Sequence, residues 1–182
     1  MTLLPEIQRV EREAERLFSQ EHVEAAIARL AADITAQLGE TNPVVLTVLN
    51  GGVIFAGKLL TELRFPLEID SINASRYRGK TAGGEIHWLL KPQLPLLGRT
   101  VLLLDDVLDE GVTLAALVAW CQEQGAAAVK VAVLIDKQIG RPRPCEADFA
   151  GLQAENRYLF GYGMDYKGYL RNAPGIFACR DL

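Results

Sequence analysis

The sequence predicts an α/β fold in which a mostly parallel central sheet is flanked by helices, and three observations lead there. Apolar runs of strand length alternate with segments of helical period along most of the chain. Some of those runs, such as Val101-Leu102-Leu103-Leu104, have no polar face at all. Strands buried on both sides are characteristic of parallel sheets. Glycines or polar residues close the runs, where crossover connections must turn.

Taken in order, Ser19 can cap a helix with Glu21 and Glu24 near its positive end. Val23, Ile27, Leu30, Ile34 and Leu38 then form a stripe of helical period that Gly39 closes, so this helix should pack through one side. Residues 43–49 (PVVLTVL) read as a buried strand, Gly51-Gly52 as a turn, 53–63 as a helix and 67–73 as the next strand. That is a βαβ order. Residues 77–84 break the pattern with charges, a threonine and paired glycines, which reads as a mobile loop, and 85–90 resume as a strand. The central strand 101–104 follows, then a helix over 113–124 ending at Gly125 and a strand over 129–135. Arg141-Pro142-Arg143-Pro144 reads as a turn, and 158–162 as the last strand.

Composition bounds the function. At 182 residues, 49% hydrophobic and 23% charged, the chain has the size of one core and one domain, 1–182. No apolar stretch approaches the roughly 20 residues of a membrane span. The N-terminus carries charges where a secretory leader needs an apolar centre, so a cytoplasmic enzyme without a membrane partner is expected. A net charge of −4 argues against a nucleic-acid surface. Cys121, Cys145 and Cys179 are odd in number and far apart, and only His22 and His87 accompany them. Neither a disulfide framework nor a zinc site is supported.

The chemistry concentrates in residues 101–114, VLLLDDVLDEGVTL. The apolar strand delivers Asp105 and Asp106 to its carboxyl end, where open α/β sheets place their ligands. Asp109-Glu110-Gly111-Val112-Thr113 can curl so that successive backbone amides point inward at the positive end of the following helix. This suits a phosphorylated, metal-bound ligand. In isolation, two acids on a solvated sheet edge with Gly111 as a simple turn read the pattern equally well. Neither GxxxxGK[ST] nor GxGxxG follows a strand, which argues against a P-loop or dinucleotide enzyme.

The same segment resembles the phosphoribosyl pyrophosphate (PRPP) signature of the type I phosphoribosyltransferases, and four further segments resemble their hypoxanthine-guanine members. Leu49-Asn50-Gly51 looks like the loop whose backbone binds pyrophosphate, although Asn50 replaces a basic residue. Ser75-Arg76-Tyr77 resembles the family's lid, with Arg76 in place of a small residue. Lys137 matches the lysine that reads the purine O6. Tyr158, Leu159 and Asp165 match the last loop, where an aromatic stacks on the base, a backbone meets the purine edge and an acid lies near base and metal. Arg171 falls at the pyrophosphate-binding arginine.

The resemblance implies a type I phosphoribosyltransferase fold: a core over about residues 40–165 and a small hood built from the terminal segments. It implies that PRPP and a 6-oxopurine are the substrates and Mg²⁺ the cofactor, with Asp105, Asp106 and Asp165 near the metal. The 5′-phosphate would sit on the amides of Glu110, Gly111, Val112 and Thr113, and Asp109 would be the catalytic base at N7. Glu110 departs from the threonine frequent in the family at that position, and a carboxylate beside a phosphate is tolerable only if it turns outward and leaves the amide to bind. A homodimer or homotetramer is implied as well. Two alternatives stay open: a transferase that prefers xanthine, and a PRPP-binding regulatory protein of the same fold.

Overall fold

The computed structural model describes residues 3–76 and 86–180. In chain order its elements are α1 (Leu4–Glu13), β1 (Glu15–Ser19), α2 (Gln20–Leu38), β2 (Val44–Val48), α3 (Val53–Leu60), β3 (Glu68–Arg76), β4 (Ile86–Leu90), β5 (Thr100–Leu108), α4 (Val112–Glu123), β6 (Ala128–Gln138), β7 (Phe149–Glu155), β8 (Leu159–Phe160) and β9 (Gly175–Ala178). Six strands make the central sheet, in the order β4-β3-β2-β5-β6-β7. All its neighbours pair in parallel except β4, which runs antiparallel to β3 at one edge.

Residue alternation explains how both faces are covered. Val45, Leu102, Leu104, Ala132 and Leu134 point to the side packed by α2 and α3. Val44, Leu46, Val101, Leu103, Val131 and Val133 point to the side packed by α4. Successive side chains leave a strand on opposite faces, so a strand wedged between two helical layers must be apolar at every position. Ser19 caps α2 by accepting the His22 N–H, and the α2 stripe is buried as expected.

A second sheet, β1-β9-β8, is antiparallel and comes from the two ends of the chain. One side of it packs on α1 through Ile7, Phe160, Tyr166 and Phe177, with the Phe160 and Phe177 rings stacked 5.3 Å apart. Leu159, Ile176 and Ala178 face the cluster shared with α2.

Several elements differ from the sequence reading. β5 runs on through Asp105 and Asp106 to Leu108, because its ladder with β6 continues to the Leu108–Asp136 pair. The acids therefore lie in the last turns of a paired strand, not beyond it. For the same reason β6 extends to Gln138 and carries Lys137 within it, paired against Ala154 of β7. α3 stops at Leu60, three residues early, where Glu62 and Leu63 amides fold back onto Leu59 and Leu60 carbonyls. Residues 158–162 do not close the central sheet: only Leu159 and Phe160 are strand, and they belong to the second sheet. Phe149–Glu155, read as no element in the sequence, forms the edge strand β7 beside β6. The 77–84 loop lies outside the described residues.

Topology now locates the site. From β2 the chain moves outward to β3 and β4, then returns past β2 to β5. The strand order reverses between β2 and β5, and at such a switch point the two loops leaving the carboxyl ends diverge and open a crevice.

Candidate active site

The first wall of that crevice is Leu49-Asn50-Gly51-Gly52, after β2, with a cis peptide between Leu49 and Asn50. Gly51 lies flush against β5, and a Cβ built on it would fall on the Asp106 carboxylate. Gly163, at φ +111, approaches from the other side, and its Cβ would strike the Gly51 carbonyl. Two backbones and the Asp106 side chain meet here, and any side chain at these two glycine positions would wedge them apart.

Asp105 and Asp106 form the floor. Asp106 is 7% exposed, and its N–H donates to Asp105 Oδ1 at 2.9 Å. Burial, with the neighbouring Asp106 charge as the second cause, pushes Asp105 well above the usual carboxylate range. Burial pushes Asp106 upward too, against the pull of the Arg171 guanidinium. That guanidinium pairs with Asp165 at 2.8 Å, not with the two floor acids.

Two adjacent desolvated carboxylates suit a divalent cation. Among the described residues, no group of three or more His, Cys, Asp or Glu side chains could hold a metal by itself. Mg²⁺ does not require one, since it commonly takes one or two carboxylates and fills its shell with water and phosphate oxygens. The donor set fits that ion.

The second wall is the turn from β5 into α4. Gly111 caps α4 in the left-handed conformation, φ 72, and no side chain accepts the helix's first amides. An uncapped helix start offers those N–H groups and the positive end of the helix dipole to an anion. Glu110 meets its expectation: its carboxylate turns outward and pairs with Arg141.

The far side of the cleft faces these walls. Lys137 is 8% exposed and donates to Asp109 Oδ2 at 2.9 Å. Tyr158 is 42% exposed and stands edge-on to Tyr166, with centroids 5.6 Å apart. Tyr166 is held in turn by its hydroxyl, which donates to Glu6 of α1 at 2.7 Å. Asp165 also accepts the Gly168 N–H at 2.6 Å, and Arg171 donates to the Gly163 carbonyl.

Every PRPP-site and purine-site residue expected from the sequence lines one cleft of about 860 Å³. Ser75 and Arg76 end β3, and Tyr77 lies outside the described residues. Sequence reasoning missed Tyr166 and the two arginines of the 141–144 turn. Tyr166 carried a signal, an aromatic beside the stacking loop, but its partner Glu6 is 160 residues away. The arginines were legible only as flanks of prolines.

The phosphoribosyl transferase domain family model matches residues 13–167. A hypoxanthine-guanine-xanthine phosphoribosyltransferase from Tritrichomonas foetus is 37% identical over 161 residues, 88% of each chain. A hypoxanthine-guanine phosphoribosyltransferase from Bacillus subtilis is 32% identical over 88% of this chain and 89% of its own. The crystal structure of a hypoxanthine phosphoribosyltransferase from Staphylococcus aureus superposes with a TM-score of 0.88 at 26% identity, covering 93% of this chain and 94% of that one.

Proposed function

This chain belongs to the phosphoribosyltransferase family, and we propose from that premise that it transfers the 5-phosphoribosyl group of PRPP to N9 of hypoxanthine or guanine. The products are IMP or GMP and pyrophosphate. The observation that carries this reading is the Lys137–Asp109 pair, 2.9 Å apart, facing an uncapped helix start and the adjacent acids Asp105 and Asp106 across one cleft.

The purine O6 and N7 are neighbours on one edge of the base. A 6-oxopurine can therefore enter between Lys137 and Asp109 and replace each partner of the pair: Lys137 donates to O6, and Asp109 accepts the proton carried on N7. Adenine presents an amino group to the ammonium and is disfavoured. Tyr158 stacks on the base, a contact worth roughly 1–3 kcal/mol, while the Leu159 backbone meets its edge.

On the other wall, the amides of residues 110–113 and the Thr113 hydroxyl take the 5′-phosphate. The Leu49-Asn50-Gly51 backbone and Arg171 take the pyrophosphate, a role suited to a planar fork of donors. Asp105 and Asp106 are the carboxylates that would hold Mg²⁺, with Asp165 near it, and the ion when bound would offset charge on the leaving group. The bond from N9 to C1′ then forms as the C1′–O bond breaks with its electron pair on pyrophosphate, and Asp109 takes the N7 proton. Positioning and charge stabilisation supply the rate, without a covalent enzyme intermediate.

Ser75, Arg76 and Tyr77 would close over this centre and exclude water. The enzyme would act as one domain with a terminal hood, as a homodimer or homotetramer in the cytoplasm. Among the described residues no helix is long and apolar enough to cross a membrane. A second reading, a transferase that prefers xanthine, draws on the name of the Tritrichomonas foetus relative only in that xanthine stands there beside hypoxanthine and guanine. Steady-state rates with hypoxanthine, guanine, xanthine and adenine, each with PRPP and Mg²⁺, decide. Hypoxanthine and guanine should lead; faster turnover of xanthine selects the second reading, and transfer to none of the four overturns both.

A further inference from the structure

The turn Arg141-Pro142-Arg143-Pro144 has no part in the chemistry above, yet it lies directly under it. Arg143 is among the most enclosed cations of the described chain, with a side chain 8% exposed. Its Nη1 donates to two main-chain carbonyls, Lys137 O at 3.0 Å and Leu108 O at 3.3 Å. Leu108 immediately precedes Asp109. A single guanidinium nitrogen thus spans the end of the strand carrying the purine-reading lysine and the residue that launches the catalytic loop.

The rest of the group is anchored from below. Nη2 donates to Glu146 Oε2 at 2.7 Å. Asp136 Oδ1 lies 2.7 Å from Nη1 but accepts no aligned hydrogen bond, so it balances charge and leaves the N–H directions to the carbonyls. The turn also touches the phosphate loop itself: a Cβ on Gly111 would come within 3.0 Å of the Cys145 carbonyl, and Arg141 holds Glu110 outward.

We propose that Arg143 is a positioning residue that sets the separation of Lys137 and Asp109 by clamping the carbonyls of Lys137 and Leu108 together. The inference rests on the 6-oxopurine reading, since that separation is what matches the O6–N7 edge. A planar fork can serve two carbonyls and two acids at once, whereas a lysine ammonium keeps the charge but loses the fork. A misplacement of about 1 Å in a site of this kind costs on the order of 100-fold in rate.

The test uses Arg143→Lys, which keeps Asp136 and Glu146 neutralised, with Glu146→Gln as a milder variant that loosens one anchor. For each, kcat and KM with hypoxanthine, the hypoxanthine-to-adenine ratio of kcat/KM, PRPP affinity with Mg²⁺ and the melting temperature are measured. Arg143→Lys should lower kcat/KM for hypoxanthine by about 10–100-fold and narrow the hypoxanthine-to-adenine ratio, while PRPP affinity stays within about twofold. Glu146→Gln should move the same quantities in the same direction by less, and it decides the matter if Arg143→Lys does not fold. Unchanged kinetics, or a loss shared equally by both purines and by PRPP affinity, overturns the positioning role. Failure of the unmodified protein to use hypoxanthine would instead overturn the purine reading, and this inference with it.

Discussion

The side of the cleft proposed for the 5′-phosphate is one continuous piece of chain, from Thr100 through β5, the Gly111 turn and α4 to Glu123. The side proposed for the purine is assembled from parts distant in sequence: Lys137 on β6, Tyr158 before β8, Tyr166 on the following loop, and Glu6 of the N-terminal helix beneath it. The β5–α4 side takes its shape from local rules, a buried strand and an uncapped helix start that offers its amides to an anion. The second has a shape only because tertiary contacts hold it, so selectivity for a base must reside there. Cleft chemistry and cleft selectivity should therefore respond to different substitutions.

The sharpest way to break that division is on the boundary between the walls. Asp109→Asn preserves size and loop packing but cannot take the N7 proton, so kcat should fall by about 10²–10⁴-fold with PRPP affinity little changed. Near-normal kcat under saturating substrates would remove Asp109 from the role of base.

On the phosphate wall, Asp105, Asp106, Asp109 and Glu110 crowd four acids into six positions, and PRPP is itself an anion. Mg²⁺ and PRPP should therefore bind as a linked pair. Calorimetric titration of PRPP with Mg²⁺ and then with chelator should show roughly a 5–150-fold loss of affinity, and replacing both Asp105 and Asp106 by Asn should shrink that difference. PRPP affinity indifferent to Mg²⁺ would exclude these acids from a metal-dependent site.

On the purine wall, Tyr166→Phe removes the hydroxyl that ties the Tyr158 support to Glu6. A lost hydrogen bond to a carboxylate is worth about 1.5–3 kcal/mol at most, and only part of it reaches the ring contact. We expect KM for hypoxanthine to rise about fivefold with KM for PRPP unmoved; equal effects on the two would mean that α1 supports the whole cleft.

The smallest effect concerns stability. Burial raises both floor acids above their usual range, so the folded chain holds protons there more tightly than the unfolded one. Without metal, stability falls as pH rises from the ordinary aspartate value toward the raised one, and the full penalty remains above it. Asp105→Asn in chelator should melt higher than the unmodified protein, by roughly 2–4 °C for each kcal/mol relieved, and by more at pH 8 than at pH 4. A gain that does not grow with pH would place its origin in packing.

The same contrast explains what could be read from residues alone. β2, β5, β6 and α4 announce themselves because strands covered on both faces are apolar throughout, and the residues expected at the carboxyl end of β5 do line the cleft. β7 (FAGLQAE) hides because an edge strand needs few apolar residues. α1 has no side-chain cap, and β1 and β9 gain their pairing from each other across the length of the chain. The turns around Tyr162, Lys167 and Leu170 use left-handed backbone at non-glycine residues, which no local preference foretells. Arg143 was invisible for the same reason: its meaning lies in the two carbonyls it reaches.

The division of the cleft is tested most directly by Lys137→Ala, assayed with hypoxanthine and adenine and titrated with PRPP and Mg²⁺. Because a purine site built to donate to O6 rejects what cannot accept, the account predicts that KM for hypoxanthine rises and the preference over adenine collapses, with PRPP affinity retained within about twofold. An unaffected KM for hypoxanthine, or efficient use of adenine by the unmodified protein, would contradict it.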